Sequence, residues 1–237
     1  MLTHNIKMNK IERIYSSLYK KYGPQGWWPL LELNIKGVNP TKTGSMKGYH
    51  PGDYSYPCTE KQRFEICVGA ILTQNTSWIQ AEKSLSNLNS AKILNPKSII
   101  EIERGKLASL IKPAGYFNQK SRKLKEFSDF YFGLKGKIPS REQLLNVWGI
   151  GEETADSMLL YAFKIPTFVV DAYTKRIFSA LGIINKNAKY SEIKPLFESS
   201  IKKNLEIYQE YHALIVEHGK RIMEKNNQAA FAADLHL

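Results

Sequence analysis

Cysteine is scarce in this chain: two occur among 237 residues, Cys58 and Cys67. Two thiols cannot build the disulfide framework of a small secreted domain, and they suit a reducing compartment. Their spacing is not a zinc pattern. Nor can a single copy offer the four thiolates that an iron–sulfur cluster takes. Cys67 reads as a core residue and Cys58 as a loop residue. Long apolar runs are lacking too, and none reaches the roughly 20 residues of a bilayer-crossing helix. The first residues, Met1-Leu2-Thr3-His4-Asn5-Ile6-Lys7, hold no apolar signal core. These absences predict a cytoplasmic protein with no membrane partner. Acidic residues are also in deficit, 22 against 34 lysines and arginines, for a formal charge of +12. A surplus of this size supports a face that binds phosphates without reading sequence, although basic charge alone is weak support.

What the chain has in quantity is helical periodicity. Ile11, Ile14, Tyr15 and Leu18 share one face of a first helix over 6–21. From Lys61 onward helices follow closely, at about 61–75, 77–89, 97–103, 104–111, 118–133, 140–147, 151–164, 171–181, 190–203 and 205–225. No strand pattern or repeat interrupts them, so the expected fold class is all-α. Residues 34–60 form a polar insertion rich in glycine, proline and tyrosine, and 226–237 read as a tail. Basic residues are densest in Lys120-Ser121-Arg122-Lys123-Leu124-Lys125.

The segment from Leu145 to Arg176 carries the chemistry. Gly149-Ile150-Gly151 is a turn signal directly before a helix whose apolar residues are Ala155, Met158, Leu159, Ala162 and Phe163. A tight turn entering a helix leaves backbone N–H groups unpaired beside the positive end of the dipole, where an anion such as a nucleic-acid phosphate fits. An ordinary helix–loop–helix corner would give the same short pattern. The dinucleotide fingerprint is excluded, since the third glycine and a preceding strand are both missing. Further on, Val169-Val170-Asp171 sets one carboxylate after an apolar run and before a helix. Asp171 suits a helix N-cap. Its apolar setting also suits a carboxylate that stabilises positive charge or orients water.

Taken with Val147-Trp148 before it and Glu152-Glu153-Thr154-Ala155 after it, this segment resembles the helix-hairpin-helix and aspartate signature of the endonuclease III superfamily of DNA glycosylases. Two more blocks agree in order and spacing: Val68-Gly69-Ala70-Ile71-Leu72-Thr73-Gln74-Asn75-Thr76, and Gly115-Tyr116-Phe117-Asn118-Gln119-Lys120-Ser121. The resemblance covers roughly 61–225. It implies two helical lobes, one of 1–75 with 185–225 and one of 76–184, with the active site in the cleft between them. It also implies a double-stranded damaged DNA partner for a nucleoid-associated monomer, and removal of a flipped-out base.

Where family members that also cut the strand carry a lysine, this chain has Glu153. A carboxylate cannot form the imine that nicking requires, so base removal by water is expected, unless Lys164 or Lys175 substitutes. Together with the missing cysteines, this makes the chain most similar to the endonuclease III-like 3-methyladenine glycosylases. That likeness implies a base pocket of Trp27, Trp28, Phe64 and Glu153 around the catalytic Asp171. Without it, Trp27 and Trp28 read equally as a surface anchor, and Glu153 as a solvent-facing first-turn residue. Gln74 would wedge into DNA, or would simply end its helix. Gly149, Ile150, Gly151, Thr154 and Lys120 would contact DNA. The backbone carbonyls of Leu145, Val147 and Ile150 would hold Na⁺ or K⁺, with no other cofactor. The function expected is a monofunctional glycosylase for alkylated purines, 3-methyladenine first. The alternatives are excision of mismatched uracil or thymine, and a binding module without catalysis.

Overall fold

The computed structural model describes residues 9–33, 39–40 and 48–224. Most of the 34–60 insertion's first half and the 226–237 tail lie outside the described residues, as does the start expected for the first helix. Among the described residues the fold is all-α, with no strand. Eleven helices follow in order: α1 Lys10–Tyr22, α2 Glu60–Leu72, α3 Trp78–Ser90, α4 Pro96–Glu101, α5 Arg104–Leu110, α6 Phe117–Gly133, α7 Arg141–Leu145, α8 Glu152–Ser157, α9 Ala172–Ala180, α10 Tyr190–Ser200 and α11 Leu205–Glu224.

Side chains fix where these helices begin. Asn9 and Glu12 form a reciprocal capping box on α1, as do Thr59 and Gln62 on α2, and Ser140 and Gln143 on α7. α8 runs straight into a π-helical turn, Met158–Ala162. Its wider winding brings the Phe163 N–H to the Met158 carbonyl at 3.0 Å. Turns of this type concentrate at functional sites, and this one carries Tyr161.

One hydrophobic core runs through the molecule, from Ile11 and Ile14 to Leu214 and Ile222. α2 lies at its centre and packs on α3, α6 and the π turn, while α11 packs on α1 and α9. Every α2 residue from Phe64 to Leu72 is buried. From Phe64 onward the helix is apolar apart from Glu65 and is internal on every side.

The described part of the insertion folds back on the tryptophan ribbon. The Leu30 N–H donates to the Gly48 carbonyl at 3.0 Å, and the His50 N–H to the Gly26 carbonyl at 3.2 Å. Gly26 and Gly48 have to be glycine here. A Cβ on Gly26 would lie 2.3 Å from the His50 backbone, and one on Gly48 would lie 2.2 Å from the Leu30 carbonyl oxygen. From the other side, the Glu210 carboxylate accepts from the N–H groups of Gln25 and Gly26, at 2.7 and 3.2 Å. Trp27 and Trp28 are thus held from both flanks.

Candidate active site

Asp171 is the N-cap of α9, and its two oxygens have different partners. Oδ1 accepts from the Thr174 N–H and from the Thr174 hydroxyl, both at 2.7 Å. Oδ2 lies 4.0 Å from Nε2 of His212 on α11. The helix therefore holds one oxygen and leaves the other toward a cavity. The capping role expected for this residue is met through Oδ1 alone, and the cap does not use Oδ2.

Two cavities meet at this group. The first is a chamber of about 540 Å³, whose walls include Trp27, Trp28, Trp78, Glu153, Asp171 and His212. The second is a cleft of about 680 Å³, which reaches from Asp171 and Glu153 past Gln74 and Lys123 to Gly149 and Gly151. Asp171 and Glu153 belong to both, so the carboxylates stand where an aromatic chamber opens onto the glycine hairpin. Glu153 is solvent-exposed as a residue and stands at the rim. Loss of water around its carboxyl, and then the charge of Asp171, push its pKa up to about 7, against the pull of Lys175.

The aromatic walls interlock. Trp28 meets Trp78 edge to face at 5.3 Å and Tyr161 at 5.5 Å, and Trp27 meets His212 edge to face at 6.2 Å. Lys220 sits 5.6 Å over the Trp27 ring. Gly69 makes room for Trp28, because a Cβ there would lie 3.1 Å from the indole nitrogen.

The structure corrects two expectations. Phe64 is not a wall of the chamber. It is buried on another face of α2, 5.0 Å from the Tyr131 ring and stacked toward Phe127. The third aromatic wall is Trp78, the first residue of α3. Lys120 is not on a DNA-facing surface. Its side chain is buried and its ammonium donates to the Leu72 carbonyl at 2.8 Å and the Ala114 carbonyl at 2.7 Å. A cation at the C-terminal end of α2 is favourable for the helix dipole. Burial lowers its pKa to about 8, with the charge of Lys123 adding to the effect.

Other candidates come together at the hairpin. Gly149 has φ +85°, a left-handed angle that favours glycine, and a Cβ there would strike the Lys123 side chain at 2.6 Å. Ile150 is buried, and Gly151 caps α8 with no side-chain hydrogen bond. The Gln74 amide donates to the Gly149 carbonyl at 3.2 Å and to the Thr154 hydroxyl at 3.0 Å, and accepts from Lys123 at 2.5 Å. It therefore ties α2 to the hairpin in this structure. Leu145 ends α7, and the Val147 carbonyl accepts from the Ile150 N–H at 3.1 Å. Among the described residues, no group of three or more histidine, cysteine, aspartate or glutamate side chains could hold a metal.

Trp78, Tyr173, His212 and Lys220 are walls that the sequence did not suggest. One signal existed: His212, Val216 and Lys220 recur every four residues along α11 and all face the chamber. Beside the hairpin, Arg122 lies 4.0 Å over the exposed Trp148 ring.

Known proteins resemble this chain in sequence and in fold. The chain is 42% identical over 93% of its length to a Methanocaldococcus jannaschii protein named as a candidate DNA repair glycosylase, of which 93% is covered. It is 28% identical to endonuclease III of Sulfolobus acidocaldarius over 70% of this chain and 77% of that one. Among solved structures it resembles Helicobacter pylori 3-methyladenine DNA glycosylase bound to 1,N6-ethenoadenine. The TM-score is 0.66 at 30% identity, over 90% of this chain and 98% of the other. A non-covalent endonuclease III–DNA complex shares the fold, with a TM-score of 0.64 at 19% identity over 88% and 85%. The family model for base excision DNA repair proteins of the HhH-GPD superfamily matches residues 68–203, spanning both the glycine hairpin and Asp171, and the chain belongs to that superfamily of DNA glycosylases.

Proposed function

We propose that this glycosylase is monofunctional and removes alkylated purines, 3-methyladenine and related adducts, by water. One observation carries the reading: Asp171 and Glu153 form the shared wall between an aromatic chamber and the hairpin cleft. DNA lying along the hairpin would deliver a flipped nucleotide to that wall. Its base enters among Trp27, Trp28 and Trp78, whose faces attract a cationic purine by about 0.5–2 kcal/mol per contact. The sugar stays beside Asp171, whose free oxygen faces the positive charge that develops as the glycosidic bond breaks. An alkylated purine that is already cationic leaves with the bonding electron pair and needs no proton. Lys220 over the Trp27 ring opposes a cationic base at that face and favours a neutral one there, so related neutral adducts such as etheno purines belong to the same proposal; the Helicobacter relative was solved with such a base.

The monofunctional reading rests on Glu153 standing at the second residue of α8. No imine forms at a carboxylate. For the hairpin, we propose that the neutral carbonyls of Leu145, Val147 and Ile150 seat Na⁺ or K⁺, a donor type suited to hard cations. Weaker DNA binding when K⁺ is replaced by a bulky organic cation would support that seat.

The test is base release from methylated duplex DNA, with strand nicking scored before and after alkali. Release of 3-methyladenine with nicking only after alkali is expected. Nicking without alkali, with a complex trapped by borohydride, would overturn the monofunctional reading. Release only of uracil or thymine opposite guanine would overturn the substrate class.

A further inference from the structure

His212 lies beside Asp171 on the chamber wall, and its hydrogen bonds define its chemical state. Nδ1 is 2.7 Å from the Tyr161 hydroxyl, which is also 3.0 Å from the Gln209 backbone carbonyl. A carbonyl only accepts, and a phenol has one proton to give. Burial, followed by the charges of Glu210 and Asp171, raises the Tyr161 pKa well above that of a free phenol, so the proton stays in place. Both contacts are satisfied when Tyr161 donates to Gln209 and accepts from an N–H at Nδ1. A neutral imidazole with its proton on Nδ1 has its lone pair on Nε2, the nitrogen nearest Asp171.

Nε2 and Asp171 Oδ2 are then two acceptors 4.0 Å apart. That gap is too long for a direct hydrogen bond. One donor placed about 2.8 Å from each would see them at an angle of about 90°, close to the angle between the two O–H bonds of water. With Oδ1 occupied by Thr174, Oδ2 is the carboxylate oxygen open to such a donor. Both of the water's protons would be held, and its oxygen lone pair would be free to attack.

We propose that His212 is the second acceptor for the hydrolytic water, which it shares with Asp171. The assignment rests on the glycosylase reading above. The glycosidic bond breaks and its electron pair leaves with the base. The water oxygen then bonds to the sugar's anomeric carbon while one water proton passes to Nε2. The products are a free base, an abasic sugar with an anomeric hydroxyl and an imidazolium, which returns its proton to solvent. Burial holds the His212 pKa below its ordinary value against the opposing charge of Asp171, so the ring is neutral in the resting enzyme. The titratable groups nearest it are Asp171, the N-cap of α9, and Tyr161 of the π turn. Tyr173 of α9, Glu153 of α8 and Lys220 of its own helix share the chamber wall, and Glu210 of its own helix acts on Tyr161.

The experiment is single-turnover release of 3-methyladenine from methylated duplex DNA across pH, by the parent, His212→Gln and His212→Phe. His212→Phe keeps an aromatic ring beside Trp27 and has no acceptor, and its rate at neutral pH should fall about 100-fold. His212→Gln keeps an acceptor that does not titrate. Its loss of rate in acid should begin at lower pH than the parent's, while affinity for abasic product DNA stays within about twofold. Nitrogen NMR of the parent ring reads the tautomer without requiring a variant to fold. A proton on Nε2 at neutral pH overturns the proposal. So does a His212→Gln enzyme with the parent's rate and acid limb. A parent that releases no alkylated purine overturns the functional reading instead, and the shared water with it.

Discussion

Asp171→Asn separates the two jobs of this residue. Asparagine caps helices as well as aspartate does, and its amide oxygen can accept from the Thr174 N–H as Oδ1 does at 2.7 Å. Stability should change by less than about 0.5 kcal/mol. The other end of the amide becomes a neutral donor where Oδ2 faced the chamber. Loss of one preorganised charge opposite a developing charge costs about 10²–10³-fold in rate, or roughly 3–4 kcal/mol. The assay is single-turnover base release with enzyme in excess, alongside thermal unfolding. Asp171→Ala is the control, since it also loses the cap and should lower stability by about 1 kcal/mol. An asparagine variant that keeps more than about a tenth of the parent rate would refute the electrostatic role. So would a loss of activity that merely tracks a loss of folding.

Three further outcomes can be measured. Lys120→Met strands the Leu72 and Ala114 carbonyls and should cost about 1–3 kcal/mol, with the salt slope of DNA affinity unchanged; a slope smaller by about one would mean that Lys120 does meet a phosphate. Gly219→Ala would place a Cβ 2.3 Å from the Tyr173 ring, so a loss of about 1–3 kcal/mol is expected, along with slower base release as Tyr173 shifts in the chamber; wild-type stability would show that α9 gives way freely. Burial raises the Glu65 pKa from 4.5 to about 7, against the Leu31 N–H bond that lowers it. The folded state then keeps this proton to higher pH than the unfolded chain does, so ionisation drains stability as pH climbs through that window. Glu65→Gln should gain on the parent across it, by about 3 kcal/mol at most, and level off above; parallel urea midpoints across the same range would contradict this.

Much of the site was readable from sequence because its motifs are local. Gly149, Gly151 and Asp171 each act through the backbone of their own turn or helix start, and neighbouring residues specify those. Phe64 and Trp78 could not be sorted in the same way. From Phe64 to Leu72, α2 is apolar on every side but for Glu65, so periodicity says that it is buried and not which face meets the chamber. Lys120 sits in a basic run and looks like its exposed neighbours. Only the approach of the α2 C-terminus gives its ammonium two carbonyls. The role of Gln74 as a tie to the hairpin depends on Lys123 and Thr154, which lie 49 and 80 residues further along the chain. His212 and Lys220 formed a legible stripe on α11, but nothing in the sequence says that this stripe faces Asp171.

The tryptophan ribbon is buttressed by the far end of the chain. Glu210 holds Gln25 and Gly26, the Tyr211 hydroxyl donates to the Ile11 carbonyl at 2.7 Å, and the Tyr22 hydroxyl meets His218 at 2.8 Å. During synthesis the hairpin and Asp171 leave the ribosome before α11 exists. His212, Val216 and Lys220 of α11 complete the chamber wall, so the chamber cannot exist until residues 205–224 have been made and have docked.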